Sequence, residues 1–225
     1  MTFTYAIPDI HGRLDLLEAA LEMIIRHSAG DRGTIVTLGD YVDRGPQSRQ
    51  VIERLMGWKS DCLSLVSLKG NHEAMMWSVC NNFAELSWWL ENGGKPTLAS
   101  YGSEAARYRT AIPQAHLDWI AALSLVYADK FRVYVHAGVD PAIPLDKQPE
   151  QTALWMRYPR GNNQGYGLRH VVHGHLADTA APLVTRSRTN LDGMAWKTGR
   201  LVIGVFNDDR PGATDQYLEV VADPG

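Results

Sequence analysis

Apolar and polar positions fall in blocks along the chain. Residues 4–7 form a short β-branched and aromatic run that stops at the loop Pro8-Asp9-Ile10-His11-Gly12. Apolar residues then recur at Leu14, Leu17, Leu21, Ile24 and Ile25, which is helical spacing. Residues 34–38 predict a second strand, ended by Gly39-Asp40. Residues 48–56 predict a second helix. Residues 62–68 predict a third strand, ended by Gly70-Asn71-His72. Strand, polar loop and helix in succession is the pattern of parallel βαβ units. The middle, about residues 72–123, reads as mostly helical, and its tryptophans (Trp77, Trp88, Trp89, Trp119) read as packing. The second half changes character. Residues 131–135, 170–172, 182–185, 201–206 and 217–221 are short strands split by glycine and polar turns, and they predict a second sheet. Residues 162–167, Asn-Asn-Gln-Gly-Tyr-Gly, read as a mobile loop, and residues 160–167 with the middle helices as shapers of specificity. No internal repeat and no linker stands out, so residues 1–225 are expected to be one domain.

Composition narrows the class. The 225 residues are 45% hydrophobic and 21% charged, which is ordinary globular usage and excludes disorder as the main state. Lysine plus arginine is 22 against 25 acids, a net charge of −3. That balance argues against a stable nucleic-acid complex, though not against a small phosphorylated ligand gripped by a few arginines. No apolar run approaches a membrane span, and no signal peptide is expected at the start. Cys62 and Cys80 sit in apolar-periodic stretches and are read as reduced core thiols of a cytoplasmic protein.

The informative fact is where the polar residues fall. In open α/β sheets ligands bind at the carboxyl ends of strands. Here the first strand ends in Asp9 and His11, the second in Asp40 followed by Asp43 and Arg44, the third in Asn71 and His72. Later, His136 follows residues 133–135, and His173 and His175 follow residues 171–172. Asp40 follows His11 by 29 positions and Asn71 follows Asp40 by 31, about one βαβ unit each. Aspartate, asparagine and imidazole together indicate a manganese, iron or zinc type of ion rather than calcium or magnesium. Six good ligands are too many for one site with open positions, whereas two ions bridged by a carboxylate would use them all. Any single piece, such as an Asp-x-His pair, reads equally well as a capped turn. The joint occurrence at strand ends is what carries weight.

These segments resemble the motifs of the phosphoprotein phosphatase family of metallophosphoesterases, in its bacterial and phage-lambda-type serine/threonine branch. The resemblance rests on Asp9-Ile10-His11-Gly12, Gly39-Asp40-Tyr41-Val42-Asp43-Arg44-Gly45, Gly70-Asn71-His72-Glu73, His136-Ala137-Gly138 and Gly174-His175. Trp89-Leu90-Glu91-Asn92-Gly93-Gly94 and Leu154-Trp155-Met156-Arg157 add to it. It implies an α/β (α+β) fold, a four-layer αββα sandwich of two mixed β-sheets flanked by helices. It implies one metal on Asp9, His11 and Asp40, and a second on Asp40, Asn71, His136 and His175. His72 resembles the general acid, Asp43 its orienting carboxylate, and Arg44 and Arg157 the grip on the phosphoryl oxygens. Lys69 is a weaker match to a basic substrate-binding residue. Two departures stand out: Gly174-His175 is followed by Leu176 where a threonine is familiar, and His173 is an extra histidine. The family pattern points to His175 as the ligand.

The implied activity is phosphomonoester hydrolysis, serine/threonine protein dephosphorylation first, by in-line attack of a hydroxide bridging two divalent transition-metal ions, manganese foremost. Asp43 is expected to favour the charged form of His72. The implied partner is a phosphorylated protein or peptide, with no membrane and no obligate regulatory subunit. The first alternative keeps the site but changes the substrate to a dinucleoside polyphosphate such as diadenosine tetraphosphate. That reading needs base-stacking walls, for which Trp88 and Tyr166 are candidates. The second alternative is an inactive phospho-ligand-binding protein. Glu73 is read equally as a support of the His72 loop or as an exposed first-turn acid, and Asp192 as a turn residue, both outside the catalytic set.

Overall fold

The fold follows from side-chain alternation in strands that are buried on both faces. In this computed structural model, which describes residues 2–103, 107–159, 161–214 and 216–222, β1 (Phe3–Ile7), β2 (Gly33–Thr37) and β3 (Leu63–Ser67) lie side by side in parallel. Tyr5, Ile7 and Ile35 point to one face of the sheet and Ala6 and Val36 to the other. The first face is covered by α1 (Leu14–Ser28) and α2 (Ser48–Met56), the crossovers of two βαβ units. Helix α1 buries Leu16, Leu17, Ala20, Leu21 and Ile24, carries Asp15 in its first turn and Arg26 and His27 in its last, and closes on a left-handed Ala29.

Among the described residues there are two five-stranded sheets. The second holds β4 (Val126–Ala128), β5 (Arg132–Val135), β6 (His170–His173), β7 (Leu183–Val184) and β8 (Arg188–Asn190), in the order β4-β5-β6-β8-β7. Both sheets mix parallel and antiparallel pairs. Ala6, Val36, Leu38 and Leu68 of the first pack face to face with Tyr134, Val172 and Leu191 of the second, and Phe206 joins them. Val133, Val135 and Val171 cover the opposite face with Ala153 of the short helix Glu150–Trp155. The molecule is thus two mixed sheets flanked by helices.

One expectation changes. Residues 201–206 and 217–221 were expected in the second sheet. Their strands, β9 (Arg200–Asn207) and β10 (Gln216–Val221), instead extend the first, in the order β10-β9-β1-β2-β3. β9 runs antiparallel to β1, pairing Phe3 with Asn207. Both cysteines are free but half-buried rather than core, and burial pushes the Cys80 thiol up to about 11. Arg160, part of the loop expected to shape specificity, lies outside the described residues. Among the described residues no helix is long and apolar enough to cross a membrane.

Candidate metal centre

Parallel pairing of β1, β2 and β3 brings three loops to one edge, and their backbones knit together. Ile10 and His11 donate N–H bonds to the Asp40 carbonyl at 3.0 and 2.8 Å, and Gly12 donates to Tyr41 at 2.8 Å. The second sheet is fastened to the same edge: Nδ1 of His136, just after β5, lies 2.9 Å from the Leu38 carbonyl. The His175 amide reaches both Asp9 oxygens at 3.2 and 3.3 Å. Space is tight enough to dictate glycine at two points. A Cβ on Gly70 would lie 2.2 Å from Asp40 Oδ1, and one on Gly174 would lie 2.0 Å from Asp9 Oδ1. The backbone is held off its usual wells at His11, Asp40, Asp43, Arg44 and His175, all with positive φ between 46° and 73°. Strain gathered so locally marks a site that the surrounding fold overdetermines.

The structure brings Asp9, His11, Asp40, Asn71, His136 and His175 together. Asp40 stands in the middle. Its Oδ2 is 3.5 Å from His11 Nε2, and its Oδ1 is 3.4 Å from His136 Nε2. The close groups are Asp9–Asp40–His136 and His11–Asp40–His72. Asp40 is common to both, as a bridging carboxylate requires, but Asp9 groups with His136 rather than with His11. Burial raises Asp9 and Asp40 well above the usual carboxylate range, with repulsion from Asp192 adding to it at Asp9 and from Asp9 and Glu73 at Asp40. Burial also drives His11 and His136 well below their ordinary value, and takes His175 down to about 4.

Such a set fits divalent cations. Nδ1 of His11 lies 2.8 Å from the Val42 carbonyl and Nδ1 of His136 faces Leu38, so each neutral ring spends its proton there. The Nε2 lone pair of His136 then faces an acceptor, 2.8 Å from Asn71 Oδ1 with no proton to share, while that of His11 accepts from Arg44. His175 Nε2 is buried and has no hydrogen-bond partner. Buried lone pairs and carboxylates crowded in this way are reconciled by cations.

His72 Nδ1 lies 2.7 Å from Asp43 Oδ2. Asp43 is itself caged. Trp89 Nε1 donates to both its oxygens at 3.0 and 2.9 Å, and Thr97 Oγ1 donates to Oδ1 at 2.7 Å. Asp43 was expected to favour charged His72. Burial outweighs it, and the His72 pKa moves below its ordinary value. Arg44 reaches His11 Nε2 at 2.7 Å and His72 Nε2 at 3.0 Å. A lone pair serves one partner at a time, so metal ligation by His11 frees that arm of Arg44. Arg157 is exposed and lines the cavity that opens over Asp9, Asp40, Asn71 and His175, whereas Lys69 does not line it.

Sequence reasoning left one support open and missed another. Glu73 is no exposed helix-turn acid: it is fully buried, and its carboxylate accepts the amides of Gly70, Asp40, Tyr41 and Val42 at 2.7–3.1 Å. It thereby holds the bridging-aspartate loop. The Gly70-x-x-Glu73 spacing of a helix N-terminus was the available signal. Trp89 packs as expected but is also the donor that fixes Asp43. Asp192 keeps its turn role, accepting the Met194 amide at 2.9 Å, and its carboxyl also faces Asp9 electrostatically.

A family model for calcineurin-like phosphoesterases matches residues 4–178. The chain belongs to that family. As a calcineurin-like phosphoesterase it is 31% identical over 148 residues to a symmetrical bis(5′-nucleosyl)-tetraphosphatase of Pseudomonas fluorescens. That match covers 64% of this chain and 45% of the relative, so the chain spans less than half of that protein's length. A solved structure assigned provisionally as a diadenosine tetraphosphatase superposes with a TM-score of 0.63 at 22% identity, covering 99% of this chain and 93% of that one. A protein serine/threonine phosphatase from Saccharomyces cerevisiae superposes with a TM-score of 0.60 at 15% identity, covering 100% and 81%. At these identities both solved structures are likenesses of calcineurin-like fold.

Proposed function

We propose that this phosphoesterase hydrolyses a dinucleoside polyphosphate of the diadenosine tetraphosphate type, cutting it symmetrically. Asp9, His11, Asp40, Asn71, His136 and His175 would hold two divalent ions, manganese foremost. When bound, such ions supply Lewis acidity toward the phosphoryl group and acidify water for the attack. Arg44 and Arg157 would steady the phosphoryl oxygens with planar, charged forks. His72, its Nδ1 held by Asp43, would deliver a proton from Nε2 to the departing oxygen.

The observation that carries the choice of substrate is the cavity. It measures about 770 Å³ and continues from the ligand cluster past Trp155, Tyr158 and Arg188. A single phosphate at the metals leaves most of that space unused, whereas an extended ligand fills it. Trp155 forms part of its wall, edge-on to His175 at 6.4 Å, and Trp88 stacks on Trp155 at 6.2 Å. Trp155 offers the aromatic surface that a nucleobase needs, and Trp88, which does not itself line the cavity, backs it. Tyr166, the other candidate, turns its hydroxyl to the Ile143 carbonyl and does not line the cavity. The curated tetraphosphatase relative supports the same choice.

The test offers the manganese-loaded chain diadenosine tetraphosphate and a phosphoserine peptide side by side, with products separated by chromatography. The expected result is adenosine diphosphate as the sole nucleotide product, formed faster than phosphate leaves the peptide. Peptide dephosphorylation without nucleotide turnover would replace this reading with the protein phosphatase one. Turnover of neither, with metals bound, would favour a binding role.

A further inference from the structure

Past the ligand cluster the cavity opens into a wing made by the second sheet. Strand β6 contributes His173, strand β8 contributes Arg188, and Tyr158 stands against both. In the parallel register Val171 pairs with Arg188 and His173 with Asn190, so His173 and Arg188 are diagonal neighbours on one face. Arg188 is only 7% exposed, and its guanidinium carbon lies 4.1 Å from the centre of the Tyr158 ring. Its side chain's hydrogen bond goes to a neutral group, Asn162 Oδ1, at 3.3 Å. Among the described residues no carboxylate pairs with it, although Asp178 lines the same cavity. A buried guanidinium whose partners among the described residues are neutral calls for an anion.

His173 supplies the complementary need. It is fully buried, and its Nδ1 lies 2.9 Å from the Gly174 carbonyl, so the proton resides there. Nε2 is then an acceptor, buried and without a partner. A bare phosphate would satisfy Arg188 and leave His173 unpaired. An apolar group would satisfy neither. A sugar phosphate carries both complements, an anionic oxygen and hydroxyl donors.

We propose that Arg188 and His173 seat a ribose-phosphate unit of the substrate, with a phosphate oxygen on the guanidinium and a sugar hydroxyl donating to His173 Nε2. The inference rests on the nucleotide reading of the neighbouring metal centre. It would make the wing a specificity determinant of this chain, built on the one histidine that departs from the family motif.

The test is calorimetric binding to the manganese-loaded full chain of three probes: adenosine diphosphate, its 2′,3′-dideoxy analogue and orthophosphate. Unmodified protein should bind adenosine diphosphate about 3- to 10-fold tighter than the dideoxy analogue, the scale of one neutral hydrogen bond. His173→Leu should remove that difference. Arg188→Met should weaken both nucleotides by about 10-fold or more while the ratio of nucleotide to orthophosphate affinity falls. Arg188→Lys should retain more nucleotide affinity than Arg188→Met. Equal binding of the two nucleotides by the unmodified protein would overturn the proposal and needs no variant to fold. So would an Arg188→Met loss as large for orthophosphate as for adenosine diphosphate. Turnover of diadenosine tetraphosphate together with equal nucleotide binding would sink the wing and leave the activity. Intact binding differences without that turnover would do the reverse.

Discussion

Trp89→Phe separates positioning of the general acid from the rest of the site. The substitution keeps a buried aromatic ring but removes the Nε1–H that reaches both Asp43 oxygens at 3.0 and 2.9 Å. A hydrogen bond to a carboxylate contributes about 1.5–3 kcal/mol. The smaller ring also leaves a void in a fully buried position, costing about 1–2 kcal/mol more. The sum, about 2.5–5 kcal/mol, is a large part of a domain's typical stability of about 5–15 kcal/mol, yet leaves a domain in the middle of that range folded at room temperature. Thr97 still holds Asp43 Oδ1 at 2.7 Å, so the carboxylate stays near His72 but loses its second anchor. His72 should then protonate a departing oxygen less well. The loss should appear where the leaving group needs a proton, and vanish where it does not. Turnover of an alkyl phosphomonoester is expected to fall about 10-fold, a fraction of a general acid's full worth. Turnover of nitrophenyl phosphate, whose leaving group departs as a stable anion, should change little. The assay pairs these two substrates with a denaturant titration of the variant. An equal loss on both substrates would show that Trp89 acts through the fold alone, and no loss on either would refute the coupling to His72.

Three further outcomes follow from the same geometry. His72→Asn should keep its metals and lose about 100-fold on the alkyl substrate, and a near-normal rate would remove His72 as the acid. Asp40→Asn should empty both metal positions together in elemental analysis, because each carboxylate oxygen faces a different histidine; one position remaining full would contradict a bridge. The metal-free chain should lose stability as pH rises above about 6.5. Glu73, which burial raises from 4.5 to about 7, and Asp9 and Asp40, which burial raises well above their ordinary value, bind protons more tightly when folded, so their contribution fades as pH climbs to the folded values. The buried histidines, His175 at about 4 and His173 at about 3, act in the opposite sense, but only below their ordinary 6.5. Melting with a chelator present should therefore show a midpoint that falls as pH rises from about 6.5 through about 7, the folded value of Glu73, and flattens with manganese; a rising midpoint would refute the assignment.

The first three strands and two crossover helices were legible because period-2 and helical spacing alternate cleanly through Tyr5, Ile35, Leu17 and Leu21. The terminal strands were legible as strands, but not their partners, since alternation in Leu201–Phe206 says nothing about which sheet edge they meet. Strand β8 escaped altogether. Its three residues, Arg188, Thr189 and Asn190, are polar and yet buried, which inverts the usual pattern. The candidate ligands were legible through position at strand ends. The supports were less so: the local bond from Gly70 left a role for Glu73 open, but its other bonds and that of Trp89 reach groups 31 to 46 positions away, which only the folded chain brings near. Arg188 gave no signal at all.

The left-handed backbone at the centre constrains how this site can decay or be redesigned. Aspartate, asparagine and histidine tolerate that conformation better than most residues. His11, Asp40, Asp43 and His175 are all of these types. Asparagine in place of Asp40 or Asp43 would keep the loop and abolish the chemistry. Glutamate would keep the charge and strain the loop. A descendant that gave up catalysis while preserving its shape should therefore carry asparagine or glycine at these points. Its lineage would be readable in its turns after its reactivity was gone.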